Sequence, residues 1–148
     1  MQKIALAALP VLAQQALARV SGKQNAATII ALSGDLGAGK TTFTQALARE
    51  LGIEDSVQSP TYVLMKSYPI AYKGFDKLVH IDAYRLDDPK EFATLDPESF
   101  LQDPKALVCI EWPEKVGGEL PKPDIEIKFS SEGAGEGERF VEMENPRS

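Results

Sequence analysis

The sequence has little of what would indicate a secreted, membrane-spanning or RNA-coating protein. Among 148 residues there is one cysteine, Cys109, which cannot form a disulfide within the chain, so a cytoplasmic location is expected. No apolar run approaches the roughly 20 residues that cross a bilayer, so no membrane association is expected. Basic residues are outnumbered 16 to 22 by acidic ones, whereas proteins that grip an RNA backbone carry excess Lys and Arg. Any contact with RNA is therefore expected to be made mainly by a partner.

Neither an internal repeat nor a linker-like stretch interrupts the chain, so one domain is expected over residues 1–148, with a frayed end at 145–148. Apolar, strand-like runs lie at residues 2–7, 28–33, 61–66, 77–82, 106–111 and 124–129, and an alternating run at 139–143 could pair with the last of these. Helices are predicted over residues 10–21, 42–51 and 96–102. Strands alternating with helices predict an α/β fold of the P-loop NTPase type, a mostly parallel sheet flanked by helices with an antiparallel C-terminal edge.

A glycine-rich loop with the pattern G-x-x-x-x-G-K-[ST] follows the second predicted strand. It consists of Gly34, Asp35, Leu36, Gly37, Ala38, Gly39, Lys40 and Thr41, and Thr42 continues into the predicted helix. Such glycines allow backbone N–H groups to converge on an anion, and the helix N-terminus adds positive potential. Lys40 would supply charge to the β- and γ-phosphates, and Thr41 a hydroxyl ligand for Mg²⁺. The loop therefore predicts binding of ATP or ADP with Mg²⁺.

Two acids end apolar strands and are candidates for holding the metal and orienting an attacking water. Asp82 closes the run 77–82, and Glu111 closes the run 106–111. Because the C-terminal ends of parallel strands meet at one edge of a sheet, both carboxylates are expected beside the phosphate loop. Either acid could instead be an ordinary polar strand end. Thr61 is a candidate for a switch threonine that senses the γ-phosphate, or equally for a capping residue in a turn.

Other residues near these motifs allow two interpretations each. His80 fits a packed strand residue better than a base, because its side chain should face away from that of Ile81. Arg85 could contact phosphate or form a salt bridge on a helix, and Trp112 could be a stacking surface or a core anchor. Aromatic and lysine residues alternate over residues 66–77, which fits an ordinary loop better than a nucleic-acid-binding patch.

Four segments together carry a specific resemblance. They are residues 34–42, the sequence Ser59-Pro60-Thr61-Tyr62, the sequence His80-Ile81-Asp82-Ala83-Tyr84-Arg85-Leu86, and Glu111-Trp112-Pro113. In this order and spacing they closely resemble the TsaE family of bacterial P-loop ATPases, over about residues 8–143. A phosphate loop alone would indicate only the superfamily.

The resemblance implies a role in forming N6-threonylcarbamoyladenosine at position 37 of tRNA. It implies TsaD and TsaB as partners, with ATP hydrolysis resetting their complex and tRNA contacted only indirectly. The loop and Thr41 would form the phosphate and Mg²⁺ site, Glu111 would be the metal-associated acid, and Asp82 the Walker-B-like acid. The family's terminal segments help to enclose the adenine, but residues 9–10 and 133–139 match them only loosely. Alone, the protein is expected to be monomeric or to self-associate weakly.

Two other functions use the same loop. A small-molecule kinase usually needs several arginines on a lid, whereas this chain has five Arg in all, with only Arg85 in a candidate site segment. A nucleotide-dependent assembly factor would bind ATP without hydrolysing it, even with its partners present. Turnover measurements separate these alternatives from an ATPase.

Overall fold

The computed structural model describes residues 1–35, 38–54 and 65–145, and in these ranges one mixed sheet is flanked by helices. Its strands are β1 (Gln2–Ala5), β2 (Thr28–Gly34), β3 (Met65–Tyr72), β4 (Phe75–Asp82), β5 (Ala106–Glu111), β6 (Ile125–Ser130) and β7 (Glu138–Glu144). The helices are α1 (Leu9–Arg19), α2 (Lys40–Glu50) and α3 (Glu98–Leu101). Short 3₁₀ segments cover Leu6–Ala8, Pro89–Leu95, Pro113–Lys115 and Gly117–Glu119. No helix within the described ranges has both the length and the apolar character needed to cross a bilayer.

The strand order is β1-β7-β6-β2-β5-β4-β3, with the four strands β6, β2, β5 and β4 parallel in the centre. The β6–β7 and β7–β1 pairs are antiparallel, so the predicted antiparallel C-terminal edge is confirmed. The opposite edge is antiparallel too, because β3 and β4 form a hairpin.

The inner strand β5 is buried along its whole length because both faces of the sheet are covered. Leu107 and Cys109 pack in the cluster formed with α1 and α2. Val108 and Ile110 pack in the cluster on the other face, which includes Phe100 from α3. Burial raises the pKa of the Cys109 thiol to about 12, so this side chain remains a protonated packing residue.

The predicted helix after the phosphate loop is confirmed, but it begins two residues earlier than expected. It starts at Lys40, directly after Gly39 (φ 108°), and Gly52 (φ 84°) follows its C-terminal end. The first predicted strand is shorter than expected, because the backbone turns into a 3₁₀ segment at Leu6. Pro10 lies in the first turn of α1, where it removes no helical hydrogen bond.

The expectation of an ordinary loop over residues 66–77 is wrong, because this stretch lies in the β3–β4 hairpin. Tyr68 and Phe75 are buried in the core, which explains the aromatic residues. Pro69 is compatible with β3 because this strand lies at the sheet edge, where one N–H needs no ladder partner. Residues 61–64 of the predicted strand 61–66 lie outside the described ranges.

The hairpin turn is attached to α1 by Lys73. Its ammonium donates hydrogen bonds to the carbonyls of Leu17 (2.8 Å) and Val20 (3.2 Å), at the C-terminal end of the helix. We expect Lys73→Ala to lower the free energy of unfolding by about 1–2 kcal/mol, because it removes two charge-assisted bonds and a favourable interaction with the helix dipole. Denaturant titration measures the change. The exposed Lys122→Ala is the control, with an expected change below about 0.5 kcal/mol; equal effects would contradict the assigned attachment.

Candidate functional site

The candidate site lies where β2, β5 and β4 end. Glu111 at the end of β5 is in register with Leu32 of β2 on one side and with Asp82 of β4 on the other. The phosphate loop leaves β2 at Gly34, and α2 begins at Lys40. The parallel topology therefore brings both predicted acids to the edge of the sheet from which the loop emerges, as expected.

Two glycines determine the backbone conformation at the two ends of the loop. Gly34 has φ 140°, and a Cβ at this position would overlap the carbonyl oxygen of Phe129 on the neighbouring strand. Gly39 has φ 108° immediately before the first turn of α2, a conformation that side-chain-bearing residues rarely adopt. Ala38 is buried, and its N–H donates to the Asp35 carbonyl at 3.1 Å. Leu36 and Gly37 of the predicted loop lie outside the described residues.

Lys40 is folded back onto the loop that precedes it. Its ammonium donates to the carbonyl of Gly34 and, at 2.9 Å, to that of Asp35. The same nitrogen lies 4.0 Å from the centroid of the Trp112 ring, within the range of a cation–π interaction. Burial lowers the pKa of Lys40, and nearby carboxylates oppose this shift, with Glu111 the strongest of them. A lysine held by two carbonyls can exchange them for phosphate oxygens.

A chain of hydrogen bonds joins α2 to the sheet at Glu111. The Thr41 hydroxyl donates to Glu111 Oε1 at 2.9 Å, while Glu111 Oε2 lies 2.7 Å from His80 Nε2. Glu111 is 2% exposed and His80 is fully buried, so both ends of this carboxylate are fixed by protein atoms. Thr41 and Glu111 are thus brought together as predicted, and His80 joins them.

Asp82 lies beside Glu111 but is oriented by its own turn. Its Oδ1 accepts the backbone N–H of Tyr84 at 3.1 Å, and its side chain is half-buried. Such a position leaves the carboxylate near the site without burying it. Thr42 lies in the first turn of α2 with an exposed side chain, and Thr61 lies outside the described residues.

The donor set suits Mg²⁺ better than a metal held wholly by the protein. Within the ranges that the structure describes, no three His, Cys, Asp or Glu side chains are grouped to hold a metal ion. The Thr41–Glu111 pair offers two hard oxygen ligands side by side. Mg²⁺ is usually bound by one or two protein oxygens together with phosphate oxygens and water, so these residues fit it.

Trp112 has a strained backbone that directs its ring over the site. Its φ is 63°, in the left-handed region, and its N–H donates to the Leu32 carbonyl at 3.0 Å. The ring lies 5.1 Å from that of Tyr84 as well as over the Lys40 ammonium. Trp112 therefore covers the Lys40 ammonium and also packs against the hydrophobic core. A role as a stacking surface for the nucleotide stays a prediction. Arg85 lies in an exposed turn and not on a helix, and its contact with phosphate stays a prediction.

The N-terminal segment and the β6–β7 connection meet beside Gly39. The Leu6 N–H donates to the Gly137 carbonyl at 2.7 Å, and a Cβ on Gly39 would lie 3.5 Å from Leu6 Cδ2 and 3.9 Å from Arg139 Cγ. These are the parts of the chain in which the resemblance implies adenine contacts. Their position next to the loop is compatible with that expectation, which stays a prediction.

Sequence reasoning missed two contacts of this site. His80 is a packed strand residue as predicted, but its bond to Glu111 was not foreseen. Its position two residues before Asp82, on the same face of β4, was the available signal. The contact between Trp112 and Lys40 had no signal in the sequence, since it depends on the left-handed turn after β5.

Comparison with known proteins gives consistent results. A model of the family described as threonylcarbamoyl adenosine biosynthesis protein TsaE matches residues 10–140. The tRNA threonylcarbamoyladenosine biosynthesis protein TsaE of Haemophilus influenzae is 41% identical over 103 residues, covering 70% of this chain and 63% of that protein. The protein of the same name from Bacillus subtilis is 38% identical, covering 76% of this chain and 66% of that protein. The aligned part of this chain thus spans just under two thirds of the length of these two relatives.

A solved structure agrees with the sequence comparisons. The crystal structure of Bacillus subtilis YdiB superposes with a TM-score of 0.66 at 26% identity, over 95% of this chain and 80% of that one. The family match includes the phosphate loop, His80, Asp82 and Glu111. The resemblance carried by the four sequence segments is therefore confirmed, and the chain belongs to the TsaE family.

Proposed function

We propose that this protein binds ATP with Mg²⁺ and hydrolyses it in the formation of threonylcarbamoyladenosine in tRNA. Membership of the TsaE family supports the pathway, and one structural observation supports the chemistry. That observation is the Thr41–Glu111 hydrogen bond next to Lys40, at the edge of the sheet where the phosphate loop leaves β2. It combines a cation for phosphate with oxygen ligands for a metal.

Phosphate binding would use the loop and its lysine. Lys40 would leave the carbonyls of Gly34 and Asp35 and donate to phosphate oxygens instead, forming stronger bonds because both partners are charged. The first turn of α2 would add backbone N–H donors and the positive end of the helix dipole. Trp112 would keep covering the lysine and limit its access to water.

Thr41 and Glu111 would hold Mg²⁺, which supplies neutralisation of the charge on the phosphates. Asp82, one strand away and less buried, would orient the attacking water. Thr61 is proposed to contact the γ-phosphate. In this assignment Glu111, the more buried acid, would bind the metal, and Asp82, the more accessible acid, would orient the water.

The proposed partners are TsaD and TsaB in the cytoplasm, with tRNA reached through them. The net charge of −6 supports an indirect contact with tRNA, since a direct phosphate-binding surface needs excess positive charge. Docking on the pair would complete the site by enclosing the ends of β4 and β5 and the segment that contains Thr61.

We expect the free protein to hydrolyse ATP slowly and the rate to rise when TsaD and TsaB are added. ATP should in turn change the measured association with the pair, because coupling between two binding sites is reciprocal. Purified components with a phosphate-release assay and a binding titration test both statements. Turnover indifferent to the pair favours an independent ATPase or a kinase, whereas nucleotide-dependent association without turnover favours an assembly factor.

A further inference from the structure

His80 is placed to act on the site through Glu111. It lies on β4 in register with Cys109, two residues before the Asp82–Glu111 pair, and on the same face of the sheet as both acids. This diagonal offset lets the imidazole reach along the neighbouring strand to Glu111 Oε2, at 2.7 Å. The imidazole is fully buried, so no solvent competes for the bond.

The direction of the hydrogen bond between His80 and Glu111 follows from the chemistry of the carboxylate. A carboxylate oxygen only accepts, so His80 Nε2 carries the proton and donates it to Oε2. The other ring nitrogen, Nδ1, has no hydrogen-bond partner among the residues that the structure describes. Among the described residues, the Glu111 carboxylate is the one polar contact of this buried imidazole. Packing alone does not explain such a residue, since an apolar side chain would fill the same space without burying a polar nitrogen.

The bond to His80 leaves Glu111 a single orientation. With Oε2 held from the sheet side, Oε1 points to α2 and receives the Thr41 hydroxyl at 2.9 Å. The Thr41 hydroxyl proton is thereby directed to Glu111. The chain from His80 through Glu111 to Thr41 thus fixes two neighbouring oxygen ligands with one buried donor.

We propose that His80 is a positioning residue that orients the Glu111 carboxylate and thereby sets the Mg²⁺ concentration at which nucleotide binds. This inference rests on the proposed function. Hydrogen-bond partners of metal ligands commonly change metal affinity or activity by about 10- to 100-fold when they are removed. His80 touches neither nucleotide nor metal in this assignment and acts only through Glu111.

The test is ADP binding measured by calorimetry over a range of MgCl₂ concentrations and in EDTA. His80→Phe keeps a ring of similar size and removes the donor, so the Mg²⁺ midpoint for ADP binding should rise about tenfold or more. ADP binding in EDTA should stay as in the wild type, because the loop and Lys40 are untouched. His80→Gln, which retains an N–H donor at a similar reach, should restore most of the midpoint.

Leu78→Val is the matched control, because Leu78 is fully buried two residues earlier on the same face of β4 and is in register with Leu107, four residues before Glu111. It should lower thermal stability and leave the Mg²⁺ midpoint unchanged. A folded His80→Phe protein with the wild-type midpoint, or equal shifts in the Phe, Gln and Leu78 variants, would overturn the positioning role. If circular dichroism shows His80→Phe unfolded, the flexible His80→Met is measured and interpreted in the same way. Wild-type protein that binds no ADP, or binds it without any Mg²⁺ dependence, would overturn the proposed function itself.

Discussion

Glu111→Gln and Asp82→Asn are each expected to lower ATP turnover by about two decades or more, but with different Mg²⁺ dependence. Both changes remove a negative charge while preserving side-chain shape. At Glu111 the proposed metal ligand is weakened, so the Mg²⁺ concentration for half-maximal turnover should rise. At Asp82 the proposed water-orienting group is lost, so the maximal rate should fall even at saturating Mg²⁺. Steady-state phosphate release over a Mg²⁺ series measures both quantities.

The shape-preserving variants matter because Glu111 is buried. Glu111→Ala would remove the carboxylate that accepts from His80 and from the Thr41 hydroxyl, so a loss of activity could come from misfolding. Glu91→Gln is the control, because it removes the same charge from an exposed position in the 3₁₀ segment Pro89–Leu95 and Glu91 is not among the carboxylates that act on Lys40. Solvent screening should keep its effect small. If Asp82→Asn raised the Mg²⁺ requirement and Glu111→Gln lowered the maximal rate, the roles of the two acids would have to be exchanged. Full activity in both variants would refute the two-acid site.

Lys40→Ala is expected to abolish hydrolysis and to weaken nucleotide binding with the fold intact. Losing a charge-assisted contact costs about 1.5–3 kcal/mol, which corresponds to one to two decades in affinity. Calorimetry with ADP and Mg²⁺ measures the loss. Trp112 is the only tryptophan of the sequence and lies over the Lys40 ammonium, so its fluorescence should change on nucleotide addition in the wild type and much less in the variant.

The control for this experiment is Lys115→Ala, an exposed lysine in the 3₁₀ segment that follows Trp112. It changes the net charge equally without touching the loop. Unchanged binding by Lys40→Ala, or equal losses in the two variants, would show that the loop does not bind phosphate as assigned.

The central strands of the sheet were predictable because their sequences contain apolar runs. The predicted strand 106–111 coincides with β5, since a strand covered on both faces needs an unbroken hydrophobic sequence. The hairpin over residues 66–77 was missed because edge strands tolerate polar residues and proline. Its turn gave only part of the usual signal, because Gly74 (φ 86°) fills one left-handed position while Lys73 (φ 50°) fills the other, where asparagine or glycine is usual.

From the sequence, only those site residues could be located that lie at strand ends or in the glycine-rich loop. The loop pattern and the last residues of β4 and β5 locate Lys40, Asp82 and Glu111 at one edge of the sheet. Side-chain contacts between elements depend on register, and register is a property of the assembled sheet. The bond between His80 and Glu111 therefore became visible only once β4 and β5 were aligned.

The place of Glu111 at the end of the inner strand β5 has a consequence for the dynamics of the site. Its backbone lies between β2 and β4, and its carbonyl accepts the Ala83 N–H at 3.0 Å. Amide hydrogen exchange in such a strand proceeds through large cooperative openings rather than local fraying. Glu111, the proposed metal ligand, thus shares the protection of the most buried part of the sheet, and its orientation should persist for as long as the sheet itself is closed.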